Sequence, residues 1–175
     1  ILSGEAKSFL QELEEAVSRG SPESCLRALW HTTDVLIAGS YSEEEIWTFG
    51  EVIGRLAEEI ELVSRCRLAK RLASTNNAPI SVINKLAFDD SIDVAGPVLR
   101  RSERLDTKTL VAAARAKRQE HLLAVSRRKS LSQDVTNVLV TPGDQKVLRS
   151  VGANDGAPLS ESRFLQLVKR SEGAS

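Results

Sequence analysis

The feature that most constrains this chain is a near-repeat between Asp89 and Ser132. Val94-x-x-x-Val98-x-Arg100-Arg101-Ser102, followed by Leu105-Asp106, is matched by Leu122-x-x-x-Ser126-Arg127-Arg128-Lys129-Ser130, followed by Leu131-Ser132. Each copy reads as a short helix ending in basic residues, a tight link, and an apolar-polar pair that starts a second helix. One such pair cannot bury its apolar faces alone, so a chain that repeats it must stack its copies. The period extends both ways. First-helix anchors Leu68, Val94, Leu122 and Val147 are 26, 28 and 25 residues apart. Second-helix anchors Ile80, Leu105, Leu131 and Leu159 are 25, 26 and 28 apart. Ala78-Pro79-Ile80-Ser81 also recurs as Ala157-Pro158-Leu159-Ser160. The competing reading is an ordinary helical bundle whose capping signals happen to be evenly spaced.

The expectation is an all-α fold: a helical-repeat, HEAT-like solenoid with an N-terminal helical module. At 175 residues the chain makes one domain, or one with a small extension. Aromatic residues are only 4% against 41% hydrophobic overall, so the core must be built from Leu, Val, Ala and Ile. Charge divides the chain. Residues 1–62 carry 13 acids and 4 bases; residues 63–175 carry 11 acids and 20 bases. We therefore expect an acidic module over 1–62 and a basic array of about four short helix pairs over 63–172.

Local signals place about eleven helices. Ser3 can cap a first helix with Ala6, Phe9, Leu10, Leu13, Ala16 and Val17 on one face, ended by Gly20. Ser21-Pro22 starts a second, and Ser42 with Glu45 reads as a capping box. The seam Ile46, Phe49, Ile53, Leu56, Ile60, Val63 predicts one continuous helix, packed on its neighbours or used in a dimer. Asp89-Asp90-Ser91 is expected to cap the next helix. Pro97 should bend that helix or confine it to its first turn. Asp106, Ser132 and Ser160 read as further caps, the last before Phe164, Leu165 and Val168. Leu110 and Leu123 are both expected in the core.

Chemistry is hard to find. No phosphate loop, dinucleotide fingerprint, nucleophile elbow or zinc-protease motif occurs. His31 reads as a packed or half-exposed helix residue, and His121 as a solvated residue at a helix start. Asp89-Asp90-x-x-Asp93 lacks the glycine and distal glutamate of a calcium loop. The basic half holds only Phe88 and Phe164 as aromatics, which argues against the base-cradling chemistry of HEAT-like DNA glycosylases. No catalytic residue, metal site, cofactor or small-molecule substrate is expected. No apolar run approaches the roughly 20 residues a membrane-spanning helix needs, and no signal peptide is visible. Cys25 and Cys66 lie far apart and outside metal spacing, and read as buried thiols in a cytoplasmic protein. The chain begins at Ile1 and has no Met, so we expect it to be part of something longer.

What remains is the basic stretch. Arg100 to Lys129 contains ten bases and three acids. Arg100-Arg101 and Arg127-Arg128 fall at equivalent points of successive repeats, so stacking should align Arg100, Arg101, Arg127, Arg128 and Lys129 in one ridge. The plainest reading is that these bases complement the negative ends of helix dipoles on a solvated face. The functional reading is a scaffold whose ridge binds an acidic protein surface, either a partner or the acidic module of a second copy. The alternative is a module binding the backbone of duplex nucleic acid, since the stacking aromatics that single strands use are missing, and an uncharacterised enzyme is the third reading. No amphipathic basic helix with Trp or Phe supports a membrane surface.

The run IDVAGPVLRRSERLDTKTLVAAARAKRQEHLLAVSRRKSLS, then VTNVLVTPGDQKVLRSVGANDGAPLSE, resembles a bacterial family of HEAT-like repeat proteins, found mainly in alphaproteobacteria and known as domain of unknown function 2336. The resemblance is read from about Glu43 to about Leu167, and only loosely over residues 1–40. It implies an α-helical solenoid in a cytoplasmic protein and brings no catalytic residues. The 25–28-residue period is shorter than the roughly 40–47 of HEAT repeats.

Overall fold

A computed structural model describes residues 4–157 and 169. Among the described residues there are ten helices and no strand, so the chain is all-α as expected. The helices are α1 (Gly4–Arg19), α2 (Pro22–Ala38), α3 (Glu43–Leu56), α4 (Leu62–Ala73), α5 (Ile80–Ala87), α6 (Ile92–Arg101), α7 (Thr107–Ala116), α8 (Gln119–Ser126), α9 (Gln133–Val140) and α10 (Gln145–Ala153). The expected caps at Ser3 and Ser160, the anchor Leu159 and the apolar face of the last helix lie outside the described residues.

Most helix starts are set where the sequence placed them. Ser21 accepts from the Ser24 amide at 3.2 Å, with Pro22 at the first helical position. Ser42 and Glu45 complete a capping box, each side chain bonded to the other's amide. Asp106, Ser132 and Asp144 each accept from the amide three residues on. Such a cap stabilises a helix by about 1 kcal/mol.

Three expectations need correction. The seam helix does not run to Val63: α3 stops at Leu56 and α4 starts at Leu62 after Glu61. Glu58, Glu59 and Glu61 would be unfavourable at the negative end of α3 but suit the positive start of α4, which puts the break between them. Ile46, Phe49, Ile53 and Leu56 are buried, Ile60 is half-buried, and Val63 is 78% exposed. Second, Asp89-Asp90 is not a side-chain cap for α6. Asp89 pairs with Arg65 at 3.2 Å and accepts from the Ser91 amide, while Asp90 pairs with Lys117 at 2.6 Å. These acids tie α4 and the end of α7 to the α5–α6 link. Third, α6 continues through Pro97. A proline normally conflicts with the Cβ of the residue before it, and here that residue is Gly96.

The helices lie in two rows. α4, α6, α8 and α10 pack side by side in chain order, and α5, α7 and α9 lie against them; α3 packs on α5, and α7 on α9. Leu68, Val94, Leu122 and Val147 occupy corresponding places in the first row and are all 0–1% exposed. The second-row anchors need a shift of register. Ile80 is 48% exposed, whereas Leu105 and Leu131 are buried. Leu105 and Leu131 immediately precede the N-caps of α7 and α9, and the residue so placed before α5 is Ala78, fully buried. Ala78, Leu105, Leu131 and Ala157 are then 27, 26 and 26 residues apart, a tighter period than the apolar pattern suggested.

The acidic and basic parts of the chain are closely joined. Trp30 of α2 lies under the guanidinium groups of Arg67 and Arg71 of α4, at 4.5 and 5.7 Å, and Arg71 also pairs with Asp34. Arg104 grips Glu43, at the start of α3, through two parallel hydrogen bonds of 2.8 and 2.9 Å. Its Nε also donates to the Ala78 carbonyl at 2.8 Å. The guanidinium holds the Glu43 carboxyl below the usual carboxylate range, and the carboxylate in turn raises Arg104. Gly50 lets α3 approach α5, since a Cβ there would stand 2.8 Å from Pro79.

Among the residues expected in the core, Leu110 is buried and Leu123 only half-buried. The inward face of α8 is taken by Leu122, Val125 and, against expectation, His121 at 1% exposure. We therefore expect Leu122→Ala to lower unfolding free energy by about 2–5 kcal/mol, and Leu123→Ala by clearly less. Urea denaturation of both variants measures this, and equal losses would contradict the facing assigned to α8.

Candidate functional site

The helices of the first row end on one edge of the molecule. Bases follow from the helix ends themselves, since cations in a last turn complement exposed carbonyls. Lys70 and Arg71 lie in the last turn of α4, Arg100 and Arg101 in that of α6, and Arg127 follows α8 as its C-cap. The three ends and their links enclose an open groove of about 490 Å³, lined by residues 73–76, 100, 101, 103 and 127–130. All five predicted site residues, Arg100, Arg101, Arg127, Arg128 and Lys129, border it.

They do not form one uniform ridge. Arg100, Arg101, Arg127 and Lys129 are exposed and engage no ion pair or hydrogen bond among the described residues. Arg128 points inward. Its Nη1 donates to the Leu99 carbonyl and its Nη2 to the Ser102 carbonyl, each at 2.7 Å. Burial pulls its pKa below the ordinary arginine value, and the Glu103 carboxylate opposes that. The repeat register explains the division. Helix α6 runs through Arg101, but α8 stops at Ser126, so Arg127 stands at the C-cap as Ser102 does, and Arg128 lies in the link beyond it rather than in a last turn like Arg101. The doublets look alike in sequence, yet their second members play different parts.

Arg128 belongs to a series of backward contacts. Asn77, after α4, donates to the Leu36 and Gly39 carbonyls at the end of α2, at 2.9 and 3.3 Å. Asn154, after α10, donates to the Ser126 and Arg128 carbonyls at the end of α8, at 2.8 and 2.7 Å. Each linker side chain thereby satisfies carbonyls that the preceding helix leaves without partners. Gly156 completes the last step. Its carbonyl accepts from the Leu131 amide at 3.0 Å, and a Cβ on it would stand 2.3 Å from the Lys129 carbonyl oxygen. Asn77 and Asn154 were missed in the sequence because they read there as turn residues; only the 26-residue offset of Asn154 from Arg128 marks the column.

The groove's chemistry is that of anion recognition. Guanidinium groups bind carboxylate or phosphate through two parallel hydrogen bonds, and Lys129 adds a point charge. Ser74, Thr75 and Ser130 on its walls supply hydroxyls, and Glu103 is the one acid lining it among the described residues.

The other candidates resolve as structural. His121 is not a solvated base: its Nε2 lies 2.9 Å from the Asp89 carbonyl oxygen, while Nδ1 is buried without a hydrogen-bond partner. His31 is on the exposed side of α2. Cys25 and Cys66 are free and half-buried rather than fully buried. No group of three or more metal-ligating side chains comes together among the described residues. Nor is any described helix long and apolar enough to cross a membrane.

Residues 94–175, from within α6 onward, match a family described as "Uncharacterised protein conserved in bacteria (DUF2336)". The resemblance to this uncharacterised bacterial family is shown for this part, which includes Arg100, Arg101 and Arg127–Lys129; residues 43–93 lie outside the match. No curated protein and no solved structure matches the chain.

The two classes of arginine predict different losses. Arg128→Ala strands two carbonyls in a partly buried setting and should lower stability by about 1–3 kcal/mol. Arg101→Ala and Arg127→Ala should stay within about 0.5 kcal/mol of the parent. Thermal and urea melts of the three variants compare them, and an Arg128→Ala chain as stable as the others would contradict the inward role.

Proposed function

We propose that this chain is a non-enzymatic, HEAT-like helical-repeat scaffold that binds an acidic protein surface through the groove at its helix ends. The observation that carries the reading is the state of Arg100, Arg101, Arg127 and Lys129. Four cations stand together at one groove and none is ion-paired among the described residues, although Arg65, Arg71, Arg104 and Lys117 elsewhere each hold a carboxylate. Clustered like charges repel one another, and a carboxylate-rich partner offsets that repulsion. Repeat architecture favours the same reading, because stacked helix pairs present a continuous edge rather than an enclosed reaction cavity. The free thiols of Cys25 and Cys66 fit a cytoplasmic setting.

A duplex nucleic acid would use the same cations, but nothing on the groove favours it: no aromatic side chain among the described residues lines it, and its extent is one short row of helix ends. Fluorescence anisotropy with a labelled oligoglutamate peptide and a labelled DNA duplex, at two salt concentrations, separates the two. We expect the peptide to bind, salt to weaken it, and Arg100→Glu/Arg101→Glu/Arg127→Glu to reduce binding at least tenfold without unfolding the chain. Duplex binding that exceeds peptide binding, or peptide binding that survives the triple substitution, would overturn the proposal.

A further inference from the structure

The end of the molecule opposite the basic groove carries a second concavity of the other sign. It lies where the α1–α2 turn meets the α3–α4 turn, and has a volume of about 620 Å³. Its floor is apolar, from Val17, Leu26, Leu56 and Ile60, and its rim carries Glu23, Glu58, Glu59 and Glu61, with one base, Arg55, paired to Glu14. All four glutamates are exposed, and none is engaged in an ion pair among the described residues. Leu62 and Val63, which follow directly on the first turn of α4, are 44% and 78% exposed. An acidic rim around an apolar floor, continued by two uncovered aliphatic side chains, has the layout of an interface core with a polar border.

The two concavities sit at opposite ends of α4. Glu61 directly precedes its N-terminus beside the acidic one, and Ala73 and Ser74 close its C-terminus on the basic one. Twelve helical residues separate them by about 18 Å. They therefore cannot meet within one molecule, and the distance exceeds the screening length of about 8 Å at physiological salt. In two molecules aligned head to tail they meet directly.

We propose that the occupant of the basic groove is a second copy of this chain, docked by the acidic rim of its α3–α4 turn. This rests on the reading of the groove as a site for acidic protein surfaces. Glu58, Glu59 and Glu61 of one copy face Arg100, Arg101, Arg127 and Lys129 of the next. The contact is heterologous: each molecule uses one end as donor and the other as acceptor, so association continues into rings or open filaments rather than stopping at a symmetric pair.

Sedimentation velocity on the full chain tests this. At about 0.01 M salt, where the screening length is about 30 Å, mean mass should rise with concentration beyond that of a dimer, and at about 0.15 M it should fall back. Glu58→Lys/Glu59→Lys/Glu61→Lys and Arg100→Glu/Arg101→Glu/Arg127→Glu should each be monomeric at low salt. Mixed in equal amounts they should associate again, because each supplies the charge the other lacks. Circular dichroism checks that each variant is folded, and the salt dependence of the unmodified chain stands without either variant. An unmodified chain that stays monomeric at low salt overturns the inference, as does a mixture that stays monomeric or a species that stops at a dimer. Oligoglutamate binding by a monomeric chain would leave the groove's proposed function standing while this inference failed, so the two failures are distinct.

Discussion

Successive helix pairs in this protein are fastened by side chains that reach backwards. A helix leaves its last carbonyls without intrahelical partners, and short helices expose such ends often. Here many of the helices are only eight to ten residues long, so the problem recurs every turn of the array. The linker after one first-row helix answers it for the helix before: Asn77 for α2, Arg128 for α6, Asn154 for α8. Each contact fixes a pair in rotation and height relative to the previous one, which aliphatic packing through Leu, Val and Ala does not do alone. The groove is a consequence, since aligned helix ends place their terminal bases side by side.

That arrangement gives basic residues at equivalent-looking positions opposite fates. A guanidinium one residue beyond the C-cap turns inward and becomes part of the fastening, as Arg128 does. Those within or directly capping the end, Arg100, Arg101 and Arg127, remain in solvent. Scaffold and candidate site are thus built from neighbouring side chains, and the structural arginine keeps the exposed ones in register. In the α6–α7 link, Arg104 clasps Glu43 and the Ala78 carbonyl together, so the array is anchored to α3 through the link that starts α7.

Much of this architecture was legible in the sequence, for a physical reason. Apolar periodicity reports burial, and Leu68, Val94, Leu122 and Val147 are buried because they face the row's interior. Caps at Ser21, Ser42, Asp106 and Ser132 were legible because a side-chain oxygen near a helix start has few other uses. The failures share a cause as well. Ile80 was read as an anchor because it is the larger apolar residue beside Pro79, but the buried position before that cap belongs to Ala78. His121 looked solvated because it follows Glu120, while its burial depends on α8 packing against α6 and the α5–α6 link, which no local pattern encodes. Arg128 was grouped with Arg127 because α8 ends earlier relative to its basic run than α6 does, and helix ends are where local sequence says least.

On the proposed function, the exposed cations of the groove, set in place by the backward contacts, are where this protein meets an acidic surface. Hydrogen–deuterium exchange of the unmodified chain, with and without an excess of oligoglutamate at low salt, measures this directly. Added protection confined to the links at 73–76, 100–103 and 127–130 is the predicted result. Protection that falls elsewhere, or no change at these links while the peptide binds, would contradict it.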